Sequence, residues 1–192
     1  MNQKDIIDFF DNLAQGWDNE PVNDVVINKI IDITHLNQGA RVLDVACGTG
    51  VMVPFYLQKG ATVVGVDISA KMIEIARKKF AQPQVAFVVA DVEKADLPDD
   101  FDYVMVHNAL PHFNSPHGLI KSLCTHTAPK GRITVAHSIS KAKLDEHHQK
   151  TASKVSMGLI DENELSRIMS AYVDVDIIIS DDEKYIVSGI KK

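Results

Sequence analysis

Short apolar runs alternate with amphipathic stretches along most of this chain. Four runs read as strands: residues 41–46, 61–66, 84–90 and 101–106. Each is mostly apolar and too short for a buried helix. The stretches between and after them predict helices over 50–58, 70–80 and 116–127. Gly60 closes the first of these as a C-cap, and Ser115 with Pro116 opens the last as N-cap and first turn. Two more helices precede the first strand. Residues 3–14 carry Ile6, Ile7, Phe10 and Leu13 at helical spacing, and 22–35 carry Val22, Val25, Val26, Ile30 and Ile33 behind Pro21. Beyond the fourth strand, Pro129-Lys130-Gly131 predicts a turn into a strand over 132–138. Asp161 and Glu164 form a capping box for a helix over 162–171. Strand-like residues 173–180 and 184–190 are joined by Asp181-Asp182-Glu183, a connection that permits only an antiparallel pair. Strand–helix alternation of this kind predicts an α/β fold with a mostly parallel sheet.

Composition narrows the class. A chain of 192 residues fits one domain, and 45% hydrophobic residues suffice for a sizeable core. No run approaches the ~18 apolar residues of a membrane span, so no membrane association is expected. Met1-Asn2-Gln3-Lys4-Asp5 lacks the apolar core of a signal peptide. Two cysteines do not make a disulfide framework, and the expected setting is cytoplasmic. A formal charge of −6 argues against nucleic acid as a partner. Arg77-Lys78-Lys79 is a small basic patch that suits a helix C-terminus.

The chemistry concentrates after the first strand. Residues 44–50 read Asp-Val-Ala-Cys-Gly-Thr-Gly, a turn with almost no side chains at Ala46, Gly48 and Gly50. A ligand can lie directly on such backbone, facing the next helix's N–H groups. The dinucleotide fingerprint G-x-G-x-x-G is excluded, because Val51, Met52 and Val53 follow Gly50 and supply no third glycine. Asp44 would also repel a pyrophosphate, whereas a carboxylate there suits a cation. The second strand ends at Asp67, about 20 residues on, where an acidic side chain can accept ribose hydroxyls. Ile68 and Met72 follow and can cover an adenine face. The third strand ends at Asp91-Val92, and the fourth leads into His107-Asn108-Ala109-Leu110-Pro111-His112-Phe113.

In this order and spacing the segments resemble the class I S-adenosylmethionine-dependent methyltransferases. The likeness is specific over 41–113 and looser at both ends. It implies a seven-stranded Rossmann-like sheet, mostly parallel with the last strand antiparallel, and helices on both faces. It implies S-adenosylmethionine as cofactor, with Asp44, Ala46, Cys47, Gly48 and Gly50 around the methionine part. Asp67 would hold the ribose, Ile68 and Met72 the adenine face, and Asp91 with Val92 the adenine edge. His107 would stand beside the methyl group. Residues 10–18, with Trp17-Asp18, further resemble the opening of quinone-biosynthesis-type small-molecule methyltransferases, in which this segment folds over the site as a lid. A packing residue at a helix corner is the other reading of Trp17. The chain is thus expected to be one domain, with 1–38 as N-terminal helices and lid and 139–160 as a variable insertion.

Histidines supply the candidate catalysts. His112 is the first choice as general base and His137 the second, since imidazole suits proton removal near neutral pH. A second reading joins His112, His137 and His147 or His148 in a divalent metal site. No H-x-x-x-H pair supports it, and no metal is expected. A third leaves these histidines as substrate-shaping or surface groups. Asn108-Ala109-Leu110-Pro111 departs from the Asn-Pro-Pro-Tyr pattern of methyltransferases acting on adenine or glutamine amino groups, and no G-x-S-x-G hydrolase motif occurs. Cys124 reads as a core thiol. Lys141, Lys143, His147, His148 and Lys150 hint at an anionic acceptor, or form a solvated helix face interrupted by Asp145 and Glu146. A small-molecule acceptor is the expectation. The alternatives are a non-catalytic cofactor-binding or partner subunit on the same fold, and a protein or RNA methyltransferase. Oligomeric state is open.

Overall fold

The computed structural model describes residues 2–152 and 154–192, without the side chains of residues 147–151. Seven strands form one sheet: β1 (Arg41–Val45), β2 (Thr62–Asp67), β3 (Val85–Val89), β4 (Phe101–His107), β5 (Thr127–His137), β6 (Val173–Ser180) and β7 (Tyr185–Lys191). Their order is β3-β2-β1-β4-β5-β7-β6. The first five run parallel, and β7 inserts antiparallel between β5 and β6. The fold class is the one expected. Chain order reverses between β1 and β4, and ligands in such sheets bind beyond the strand C-termini at that reversal.

Helices cover both faces. On one, α2 (Asp24–Ile33), α3 (Val53–Gln58) and α4 (Ala70–Lys79) pack Ile27, Ile30, Tyr56 and Ile73 on Val42, Tyr103 and Met105. On the other, α5 (Pro116–His126) and α7 (Glu162–Met169) pack Leu119, Leu123 and Leu165 on Leu43, Val104 and Val187. Near-continuous burial of β1 and β4 follows from this double covering. The remaining helices, α1 (Gln3–Leu13) and α6 (Lys141–Thr151), lie toward the site. Ile6, Phe9 and Phe10 of α1 meet Ala152 and Val155 just beyond α6.

Several boundaries move for identifiable reasons. The second helix starts at Asp24 because Asn23, not Pro21, caps it by accepting from the Val26 N–H. The helix expected from residue 50 starts at Val53, since Gly48 (φ 54°) and Gly50 (φ 84°) hold left-handed turns ahead of it. Ser69, Ser115 and Asp161 cap α4, α5 and α7 with their side chains. The turn expected at Pro129-Lys130-Gly131 is instead a wide bulge inside β5. Phe101 pairs with Thr127 but Tyr103 with Arg132, so four β5 residues are accommodated there. A second bulge sits in edge strand β6, where Asp176 falls between the paired residues Val175 and Ile177. It turns Asp176 onto Arg132, which donates to both carboxylate oxygens at 2.7 Å. Gly189 lies opposite this bulge, where a Cβ would come within 2.6 Å of the Asp174 carbonyl.

Candidate functional site

A cavity of about 410 Å³ opens at the C-terminal ends of β1 to β4, within the roughly 300–1,000 Å³ usual for small-ligand clefts. Strands β1, β2 and β4 each deliver a polar side chain to it, and the loop after β3 delivers Asp91.

Asp44, from β1, is 1% exposed. Its Oδ1 accepts from the Tyr56 hydroxyl at 3.1 Å, while Oδ2 is buried without a hydrogen-bond partner. Burial lifts this carboxyl to about 7; the Tyr56 bond opposes the rise and the Asp67 charge adds to it. Ala46 follows at φ 54°, a conformation glycine adopts more readily. Gly48 turns its N–H onto Asp67 Oδ2 at 2.8 Å, tying the first loop to the end of β2. Asp67 Oδ1 accepts from the Ser69 N–H at 2.8 Å. Burial raises the Asp67 carboxyl, against the backbone N–H groups that favour its charge.

Ile68, Met72 and Val92 line one wall beside Asp91. Asp91 is already engaged. Its Oδ2 accepts from Gln3 Nε2 and pairs with Lys94, each at 2.8 Å, and Oδ1 accepts from the Glu93 N–H at 3.0 Å. Burial pushes this carboxyl up, but Lys94 and these donors hold it below the usual value.

The N-terminal segment closes the top. Gln3, Ile6, Phe10 and Trp17 line the cavity from α1 and the 3₁₀ turn Ala14–Asn19 behind it. Polar ties fasten this cover to successive loops. Gln3 reaches the loop after β3. Asp11 Oδ1 accepts from Ser69 Oγ at 2.5 Å after β2, and Asp18 accepts from Thr49 Oγ1 at 2.6 Å after β1 and from Lys79 at 2.8 Å. Trp17 packs edge-on against Phe10 and stands over Gly48, 3.8 Å from where a Cβ there would sit.

His112 lines the cavity from the loop after β4. Its Nδ1 lies 2.6 Å from the Val155 carbonyl. A carbonyl only accepts, so Nδ1 carries a hydrogen. Phe10 packs edge-on against the ring at 4.9 Å. His107, the last residue of β4, also lines the cavity, and burial pushes its imidazole down to about 4.

Two expected groups stand elsewhere. His137 is fully buried and packs edge-on against Tyr185, its partner across the β5–β7 ladder, so it does not line the cavity. Gly50 lies outside the lining too; a Cβ there would meet the Phe80 ring at 2.8 Å, so its bare Cα serves packing. His112 and His137 are therefore not joined at one centre. His147 and His148 have side chains outside the described residues. Among the described residues, no group of three His, Cys, Asp or Glu side chains stands close enough to hold a metal. Of the basic side chains in the 139–160 segment, Lys141 pairs with Asp145 and Lys143 donates to the Asp182 carbonyl. Cys47 lines the cavity, but burial pushes its thiol well above the usual range.

A second cavity of about 660 Å³ adjoins the first through Phe113 and Asn114. Leu110, Met157, Leu159 and Ile160 give it an apolar wall, and Lys141 and Ser156 a polar one.

Gln3 and Tyr56 escape sequence reasoning, because each reaches its carboxylate only through the fold. Gln3 opens α1 behind its Asn2 cap, and that local pattern says nothing of what the helix touches.

Comparison with known proteins agrees with this layout. Residues 42–131 match a family model described as "Methyltransferase domain". The chain is 27% identical, over 70% of its own length, to a malonyl-[acyl-carrier protein] O-methyltransferase of Priestia megaterium. It is 32% identical, over 55%, to the mitochondrial ubiquinone biosynthesis O-methyltransferase of Schizosaccharomyces pombe. It spans 49% and 40% of those two proteins, about half the length of the curated relatives it matches. A solved S-adenosylmethionine-dependent methyltransferase of Aquifex aeolicus superposes over 100% of both chains with a TM-score of 0.74 and 17% identity, a likeness of fold. Residues 42–131 thus match a methyltransferase domain, and the sheet with its cavity at the strand C-termini has the fold of a solved S-adenosylmethionine-dependent methyltransferase.

Proposed function

We propose that the protein transfers the methyl group of S-adenosylmethionine to a small-molecule acceptor. The observation that carries this is a single cavity collecting Asp44 from β1, Asp67 from β2 and Asp91 from the loop after β3, with the oxygen of Asp44 that Tyr56 leaves bare. That atom fits a cationic ligand, and no phosphate would tolerate it. Asp44 with the Ala46–Gly48 backbone would hold the methionine end, Asp67 the ribose, and Ile68, Met72, Asp91 and Val92 the adenine. Bound there, the cofactor supplies a methyl group on a sulfonium, already a good leaving group.

The protein's own work is then to align the acceptor, exclude water and remove a proton. His112 suits the last task, lining the cavity with its ring oriented by the Nδ1 contact to the Val155 carbonyl. Phe10 and Trp17 roof the site as a lid over the reactants. The second cavity, beside Phe113, offers room for the body of the acceptor. An acidic chain and a cavity roofed by Phe10 and Trp17 favour a small acceptor over a nucleic acid, and the scarcity of cysteines favours a cytoplasmic setting. Among the described residues no helix is long and apolar enough to cross a membrane.

The test is release of S-adenosylhomocysteine from purified protein and S-adenosylmethionine across pooled acceptors. Release with one pool establishes the activity. Binding of the cofactor without release from any pool would move the reading to a non-catalytic subunit or a macromolecular acceptor. With the acceptor known, His112→Ala should lower kcat ~100-fold or more at unchanged cofactor affinity. An unchanged kcat would remove the base role.

A further inference from the structure

A third cavity, of about 120 Å³, lies at the other end of the sheet, where β1 and β4 begin and β5 bulges. Buried Tyr103 and Arg132 line it together with exposed His35, Asn37, Asp102 and Lys130. It falls short of the roughly 300–1,000 Å³ of an organic-ligand cleft. It is nevertheless several times the ~30 Å³ share of one water molecule, a size that suits a small ion.

The backbone around it is strained. Among the described residues, four other than glycine hold a positive φ: His35, Ala46, Asn108 and Lys130. Ala46 and Asn108 line the first cavity, and His35 and Lys130 line this one. His35, at φ 54°, is the left-handed residue that ends α2, where the Leu36 N–H donates back to the Ile31 carbonyl at 3.3 Å. Glycine is the usual residue at that place. Lys130, at φ 65°, lies in the β5 bulge. Its neighbour Gly131 packs so closely that a Cβ would come within 2.9 Å of the Phe101 carbonyl, which fixes the bulge and Lys130 with it. Strain that glycine would relieve, kept at two positions facing one cavity, points to use of the side chains. What these two share is a nitrogen that donates hydrogen bonds.

We propose that this cavity binds inorganic phosphate, with Lys130, His35 and Asn37 donating to its oxygens and Asp102 accepting from its remaining hydroxyl. Arg132 is neutralised by Asp176, on which both its terminal nitrogens are spent. The Lys130 ammonium makes no hydrogen bond or ion pair among the described residues, so it is the uncommitted positive charge of the cavity. His35 carries at least one N–H in either protonation state, and the Asn37 amide carries two. Asp102 decides which anion enters. One of its oxygens accepts from the Arg41 backbone N–H at 2.8 Å, and the carboxylate repels any anion that offers it no hydrogen. Inorganic phosphate keeps an O–H at neutral pH and can donate it to Asp102. Sulfate has none, and a phosphate monoester loses its last at about pH 6. The site stands apart from the S-adenosylmethionine cavity and holds or fails independently of it.

The experiment is calorimetric titration of the full chain, slightly above neutral pH, with inorganic phosphate, sulfate and methyl phosphate. Phosphate should bind, and the other two at least about tenfold more weakly. Lys130→Gly should lose at least about tenfold in phosphate affinity. Without ligand the same variant should melt at a higher temperature than the wild type, because glycine relieves the left-handed backbone. Asp102→Asn keeps an acceptor for the Arg41 N–H and gains a donor, so sulfate should bind it about as well as phosphate does. No phosphate binding by the wild type overturns the proposal. So does parity of sulfate or methyl phosphate with inorganic phosphate, or an unchanged phosphate affinity in Lys130→Gly.

Discussion

Asp44 shows how far one side chain can depart from what its type predicts. A carboxyl normally titrates near 3.9, and burial in this cavity brings it to about 7. Because the folded value is the higher one, the folded state binds the proton more tightly than the unfolded chain. Its stabilising effect is complete below about pH 4 and is lost as pH rises through 7. Asp44→Asn keeps the shape and the acceptor for Tyr56 but cannot ionise. The ligand-free variant should gain stability over the wild type, by about 4 kcal/mol at pH 8 and about 1.5 kcal/mol at pH 5. Melting curves at the two pH values check this, and a pH-independent difference would contradict it. At Ala46 the effect is conformational. Its φ of 54° strains any residue with a Cβ, so Ala46→Gly should stabilise by about 0.5–1.5 kcal/mol, read from the denaturant midpoint. The carboxylates were legible because each closes a strand at a characteristic spacing. His137 stands apart from the cavity for a reason of parity. It sits at a strand end, as Asp67 and His107 do, but only its pairing with Tyr185 reveals that it lies outside the cavity.

At the scale of elements, the strands and most helices could be read from apolar spacing and caps, and the deviations have local causes. Glycines at positive φ delayed α3, and bulges replaced a turn in β5 and re-aimed a residue in β6. A bulge depends on what the neighbouring strand needs, and periodicity within one strand carries no such information. The N-terminal cover was partly legible, through Phe10 and Trp17. Its fastenings were not, because Asp11 and Asp18 look like ordinary polar positions on an amphipathic segment. These part-buried hydrogen bonds each contribute modestly to global stability, about 0.5–1.5 kcal/mol, yet they join separate elements. Combining Asp11→Ala and Asp18→Ala should therefore speed amide hydrogen exchange across residues 3–19 and leave exchange in the sheet unchanged. Equal acceleration in the sheet would mean that the cover belongs to the cooperative core.

Over the whole molecule, the two ends of the sheet do different things. The C-terminal ends of β1 to β4 hold the cavity and its buried carboxylates. The far edge, β5-β7-β6, is held by the packed core and by Arg132, which sits buried against Asp176 and Ser188. Asp176→Ala would leave that guanidinium with only part of its partners. Since Asp176 is itself half exposed, the expected cost is about 1–2 kcal/mol rather than that of a fully buried pair. Urea unfolding should show it, with cofactor affinity unaltered. A drop in affinity would reveal coupling between the edge and the cavity.

The bond from Gln3 to Asp91 has a consequence of its own. With the ligand absent, the carboxylate proposed for the adenine edge is already served by a primary amide, whose N–H is much like the adenine amino group. Ligand entry at that point is an exchange of near-equivalent bonds, with little net gain. Selectivity must then fall to the places for which the chain carries no such stand-in, and these lie at the opposite end of the cleft, around Asp44.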